Sequence, residues 1–162
     1  MDEQEFLDSR EEMEQILREE VVGYLGLSDN GKPYVVPLNY AYMSGKIVFH
    51  CALTGQKLDA IRRNPHVCFT VGRQVGDVRD HANDPVCHPD SDSVICYGMA
   101  RLLEDHTERE AALNAFNRRF RPSEPDLPMK RIERCMAVEI TITKMTGRRE
   151  RARHRAYWRS TF

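Results

Sequence analysis

The stretch KIVFHCALTGQKLDAIRRNPHVCF, residues Lys46 to Phe69, decides the fold. It opens as an apolar strand over Lys46 to Ala52, turns at Thr54-Gly55, and runs through a short basic helix from Gly55 to Asn64. Strand returns after Pro65, from His66 to Arg73. Pro65 stops the helix because it lacks an N–H and disfavours helical geometry in the residue before it. Along KIVFHCA the side chains alternate, so Ile47, Phe49 and Cys51 face one way and Val48, His50 and Ala52 the other. Both faces are nearly free of charge. One fills a core, and the other, which carries a histidine, needs a cover of its own: a helix, a second subunit or a flat ligand. The helix start beside it presents unpaired N–H groups and partial positive charge, a seat for a phosphate. Gly55 allows close backbone approach, Thr54 can cap or donate through its hydroxyl, and Lys57 supplies a charge-assisted hydrogen bond. The alternative is a capped surface helix with a solvated lysine.

Toward the N-terminus, Ser9 with Glu12 forms a capping box, and Met13, Ile16 and Leu17 recur at helical spacing, which predicts a helix over about 9–20. GYLGLS (23–28), KPYVVPLNYAYM (32–43) and KIVFHCA then read as strands, separated by the turn signals Asp29-Asn30-Gly31 and Ser44-Gly45. This is an antiparallel meander. Pro37 removes a ladder donor from the second strand, which predicts a bulge or an open edge there. Toward the C-terminus, Gln74 to Ser91 is polar and turn-rich, a long loop. Ser93 to Glu104 is a long strand, Thr107 with Glu110 caps a helix with Leu113, Phe116 and Phe120 on one face, and Pro122, Pro125 and Pro128 mark a loop. From Cys135 to Lys144, Val138, Ile140 and Ile142 alternate with Glu139, Thr141 and Thr143, a final half-buried strand. The predicted fold is mainly β with short α insertions: a six-stranded antiparallel barrel with Greek-key elements. It forms one domain over 1–162, with a basic tail from about 147 to 162.

Composition narrows the function. The chain has 162 residues, 41% apolar and 30% charged, the balance of a globular protein with one core. No apolar run approaches a membrane span, and the acidic, amphipathic N-terminus lacks the pattern of a secretory signal, so the expected place is the cytoplasm with no membrane partner. The five cysteines are odd in number and mostly within strand-like runs, which suits reduced thiols. Net charge is −1, so no global field calls for nucleic acid. His81, Asp84, Cys87 and His88 carry zinc-type donors, but their spacing matches no standard framework and no metal is expected. The tail arginines, Arg148, Arg149, Arg151, Arg153, Arg155 and Arg159, read as a solvated or subunit-bridging segment, with Tyr157 and Trp158 as anchors. His50 is either a satisfied strand residue or a functional one. A neutral imidazole there can donate a hydrogen bond, shuttle a proton or ligate iron.

The run GKPYVVPLNYAYMSGKIVFHCALTGQKLDAIRRNPHVCFTV (31–71), followed by SVICYGMARLLED (93–105), resembles the pyridoxamine 5′-phosphate oxidase-related family of FMN-binding split barrels. It is most like the nitroimidazole-resistance (Nim-type) branch. PLNY, FH, GxKLD, NPxVCF and SVI…G carry the likeness as a set. The resemblance implies a homodimer with FMN at the subunit interface, on the outer wall of the barrel. It implies that Pro37, Leu38, Asn39 and Tyr40 lie along the isoalloxazine ring, and that His50, Cys51 and Ala52 stand where the next strand meets the flavin. Gly55, Gln56 and Lys57 match the phosphate turn, with Gln56 in place of an arginine, and Ser93 offers a polar group to the ring edge. Val36 stands where true oxidases carry a flavin-binding arginine, and no segment matches the one that grips pyridoxal phosphate. The expectation is an FMN-dependent oxidoreductase that passes electrons from NAD(P)H to a small aromatic or nitro compound, with His50 as catalytic residue. No GxGxxG is present, so the nicotinamide is a transient visitor. The alternative is a non-catalytic haem- or flavin-binding protein that uses His50.

Overall fold

The computed structural model describes residues 5–6, 9–76, 90–151 and 154–161. His81, Asp84, Cys87 and His88 lie outside them. A short strand β1 (Glu5–Phe6) precedes helix α1 (Arg10–Glu19). Ser9 Oγ accepts from the Glu12 N–H at 3.3 Å, as the capping pattern predicts, and Met13, Ile16 and Leu17 are buried. Strands β2 (Val22–Asp29) and β3 (Lys32–Asn39) form a hairpin, and β4 (Ala41–Met43) and β5 (Lys46–Cys51) form a second. At both turns two successive residues take positive φ: Asn30 at 52° with Gly31 at 79°, and Ser44 at 47° with Gly45 at 82°. That conformation matches the right-handed twist of the strands it joins.

Helix α2 (Gln56–Arg63) and strand β6 (His66–Gln74) complete the opening stretch as predicted. Strand β7 (Ser91–Leu102) leads to α3 (His106–Phe120), the short α4 (Met129–Ile132), β8 (Met136–Arg151) and β9 (His154–Thr161). Two local expectations are corrected. Helix α3 is capped by Asp105, whose carboxylate accepts from the Glu108 N–H at 2.9 Å, not by Thr107 with Glu110. The last predicted strand also runs on to Arg151, and the segment expected as a tail folds back as β9, paired antiparallel along β8.

The sheet is curled and mainly antiparallel, consistent with a split barrel. Its main path orders seven strands, β1-β9-β8-β7-β6-β2-β3, not six, and β5 joins it by pairing with both β4 and β8. The extra strands come from the C-terminal hairpin and from β1, which pairs parallel to β9. β3 and β4 are separated only by Tyr40, so one bent run of chain pairs first with β2 and then with β5. β3 ends the path, which resolves the Pro37 expectation in favour of an open edge. The core packs Leu25, Ile47, Phe49, Phe69, Val138 and Ile140 against α1 and α2. Where β7 crosses β8 the register slips at Tyr97/Gly98, and a Cβ at Gly98 would stand 2.3 Å from the Thr141 carbonyl oxygen. Only glycine fits that approach. Among the described residues no helix is long and apolar enough to cross a membrane.

Candidate functional site

β5 carries the site because its two faces meet different neighbours. Ile47 and Phe49 enter the barrel core, while Val48, only 2% exposed, lies on the face that packs against α3. A helix is therefore the cover that the second apolar face required. Two residues further along β5 and on the same face, His50 sets its ring edge-on to Phe116 of α3, with centroids 4.8 Å apart and planes at 86°. The residue is exposed, yet partial burial of its ring pulls the pKa below the ordinary histidine value, which favours the neutral imidazole.

His50 lines a cavity of about 580 Å³ beneath the α3–α4 insertion, within the range of roughly 300–1,000 Å³ that small-molecule sites occupy. Asn39, at the end of β3, lines it too, and its side-chain amide donates to the Val21 carbonyl at 3.2 Å. Most of the wall comes from residues not anticipated as site residues, among them Leu113, Phe116 and Phe120 of α3, then Arg121, Leu127 and Arg131. Their one visible signal was the apolar face at Leu113, Phe116 and Phe120, which reads as plain packing until β5 is laid beneath it. Asn114, nearly buried, accepts from the Leu127 N–H at 2.7 Å and holds the intervening loop over the cavity.

The proposed phosphate turn lies at the other side of the β5 end. Gly55 is the N-cap of α2, with φ 142°, a conformation strained for any residue with a side chain. Among the described residues no side chain caps this helix, Thr54 included, and a Cβ placed at Gly55 would meet nothing within 4 Å. The turn is thus uncapped and open, as an anion seat requires. Gln56 is exposed and Lys57 half-buried, with no carboxylate in ion-pair range of Lys57 among the described residues. The nearby acids are already matched: Asp29 pairs with Arg63 at 2.6 Å and Asp59 with Arg62 at 3.3 Å. Cys51 links the two places. Burial raises its pKa, Lys57 opposes that rise and Cys135 of the cavity wall adds to it.

The remaining predicted residues are spread out. Pro37 is exposed and Ala52 is exposed, whereas Leu38 packs partly against the core. Tyr40 is fully buried, its ring edge-on to Phe69 at 4.8 Å and its hydroxyl donating to the Leu17 carbonyl at 2.9 Å. Ser93 is not brought to His50. His50 pairs with Ala137 and Ser93 with Arg148, which puts about 35 Å of β8 between them.

Known proteins share this fold. A solved structure provisionally described as a 5-nitroimidazole antibiotic resistance protein from Bacteroides thetaiotaomicron VPI-5482 is 25% identical over 87% of this chain and 84% of its own, with a TM-score of 0.76. The fold is shared with an FAD-binding protein from Mesorhizobium loti, 24% identical over 88% of this chain and 96% of that one, TM-score 0.65. It is shared also with the flavocytochrome Anf3 from Azotobacter vinelandii, 16% identical over 96% of this chain and 79% of that one, TM-score 0.73. No protein of curated function matches. The sequence pattern described for pyridoxamine 5′-phosphate oxidase fits residues 9–149, from the α1 cap almost to the end of β8. With most of the curled sheet, the His50 strand and the uncapped α2 turn inside that span, the chain belongs to the pyridoxamine 5′-phosphate oxidase family.

Proposed function

We propose that the chain is an FMN-dependent oxidoreductase, a cytoplasmic homodimer whose single domain is a Greek-key split barrel. It passes electrons from a reduced nicotinamide to a small aromatic or nitro compound. The observation that carries this reading is the pairing, on one strand end, of an uncapped helix start with a histidine-lined cavity. The FMN phosphate rests on the Gly55 to Lys57 turn, where the amides donate and the Lys57 ammonium neutralises it. Bound flavin supplies the redox chemistry and the protein supplies binding, orientation and exclusion of water. Pro37 and Asn39 border the ring from β3. Neutral His50 offers one nitrogen as donor and the other as acceptor, so it can orient a substrate or carry a proton. Ser93 reaches such a site only from a second copy of the chain, which is the reason to assign a dimer.

An absorption spectrum of the protein incubated with FMN and desalted tests the reading. Retained flavin bands support it, and a protein that stays colourless overturns it. Lys57→Ala should weaken FMN affinity by about tenfold, the effect of one charge-assisted hydrogen bond. Fluorescence titration of free FMN measures this. A neutral imidazole beside a cavity also suits iron ligation, so a Soret band after incubation with haemin would favour the haem-binding alternative.

A further inference from the structure

The α3–α4 insertion leaves two guanidinium groups without a carboxylate partner at the edge of the cavity. Arg118 pairs with Asp126, and Arg119 donates to the Glu20 carbonyl at 2.8 Å. Arg121, which ends α3, and Arg131, within α4, have no acidic partner among the described residues, and both line the cavity. Both are exposed where they line the cavity, and the loop between the helices is tied back to Asn114. The acids on the same lining are Glu124 and Asp126, the latter taken by Arg118. With Arg118 counted, three guanidiniums stand against two carboxylates, an excess of one positive charge.

Behind this rim the wall is aromatic and apolar. Phe116 packs its ring against Phe120 with centroids 4.9 Å apart, and His50 meets the same Phe116 ring edge-on. Phe120 and Val21 are 38% and 44% exposed, apolar surface that a ligand would withdraw from water. A guanidinium fork matches a carboxylate in two parallel hydrogen bonds, and stacked or edge-on rings favour another flat ring.

We propose that this cavity binds a planar aromatic carboxylate, its ring against Phe116 and Phe120 and its carboxylate held by Arg121 and Arg131. The assignment rests on reading the cavity as the electron-acceptor site, and it narrows the acceptor to an anionic aromatic compound. Charge rather than shape then separates acceptors of equal size.

Calorimetric titration of the FMN-loaded and the flavin-free protein with 4-nitrobenzoate and with neutral 4-nitrobenzyl alcohol tests it. The acid should bind about tenfold more tightly than the alcohol. Arg121→Gln and Arg131→Gln should each lower affinity for the acid about tenfold and leave the alcohol unchanged. Phe120→Ala should weaken both ligands. Circular dichroism of each variant confirms an intact fold. Equal affinity for acid and alcohol, an unchanged acid affinity in both glutamine variants, or no binding of either ligand overturns the proposal. Acid binding by a protein that takes up no FMN would sink the cofactor reading and leave this one standing, and FMN uptake without preference for the acid would do the reverse.

Discussion

At His50 a single ring joins packing to chemistry. Its pKa lies below the ordinary 6.5 because burial penalises the imidazolium. The sign follows from linkage: the folded state binds its proton less readily than the unfolded chain, so His50 favours the folded state fully above that ordinary value. The contribution is lost as pH falls below it. Phe116, edge-on to the ring, supplies part of that burial. An NMR titration of the His50 ring protons should therefore give a midpoint below 6.5, and Phe116→Ala should move it upward toward that value. A midpoint unmoved by the substitution would show that α3 does not set the environment of this imidazole. Cys51, next along the strand, gives the complementary case: its pKa is raised by burial, so its thiol stays protonated and serves packing.

Among the elements, α1 and the far ends of β6, β7 and β8 are tied by one carboxylate. Asp92, 1% exposed, accepts from Arg73 at 3.2 Å, from Arg149 at 3.1 Å and from Arg151 at 3.0 Å. Arg73 also pairs with Glu19, and Arg149 with Glu12, both on α1. Burial pushes the Asp92 pKa up, but Arg149 and Arg151 outweigh it and hold the carboxyl below the usual carboxylate value. The stabilisation is therefore present above that value and lost as pH falls through the lowered one. Asp92→Asn should cost about 3 kcal/mol, because it leaves clustered guanidiniums without their counter-charge. Urea denaturation at neutral pH measures this, and a wild-type midpoint would refute the role. How far the elements could be read from the sequence depended on range. Asn30-Gly31 and Ser44-Gly45 dictate their turns locally, and Ser9 with Glu12 dictates its cap, so the hairpins and α1 were legible. β9 was not, since a basic run such as RARHRAYWR declares no partner until β8 is extended beside it. The cavity wall on α3 was hidden for the same reason. The face of Phe116 and Phe120 becomes a wall only through the 15-residue helix crossing β5. Asp105 was missed as a cap because Thr107 with Glu110, two residues on, shows the same spacing.

For the whole molecule, the separation of Ser93 from His50 along β8 and the exposed outer wall bear on assembly. Tyr24, Val35, Tyr97 and Met99 are 46%, 62%, 43% and 37% exposed on β2, β3 and β7. Such a group of large apolar side chains on a sheet face is unusual for a surface that meets only water. Light scattering should find twice the 18.8 kDa chain mass. Val35→Glu combined with Tyr24→Glu should yield monomers that retain FMN poorly. Dimers in the double variant would move the subunit contact elsewhere. The fold also carries a safeguard against unwanted strand pairing. β3 leaves one side of the sheet unpaired, and it bears both Pro33 and Pro37. Each removes a donor that a stray extended segment would use to dock, which makes this edge a poor template for fibrillar stacking.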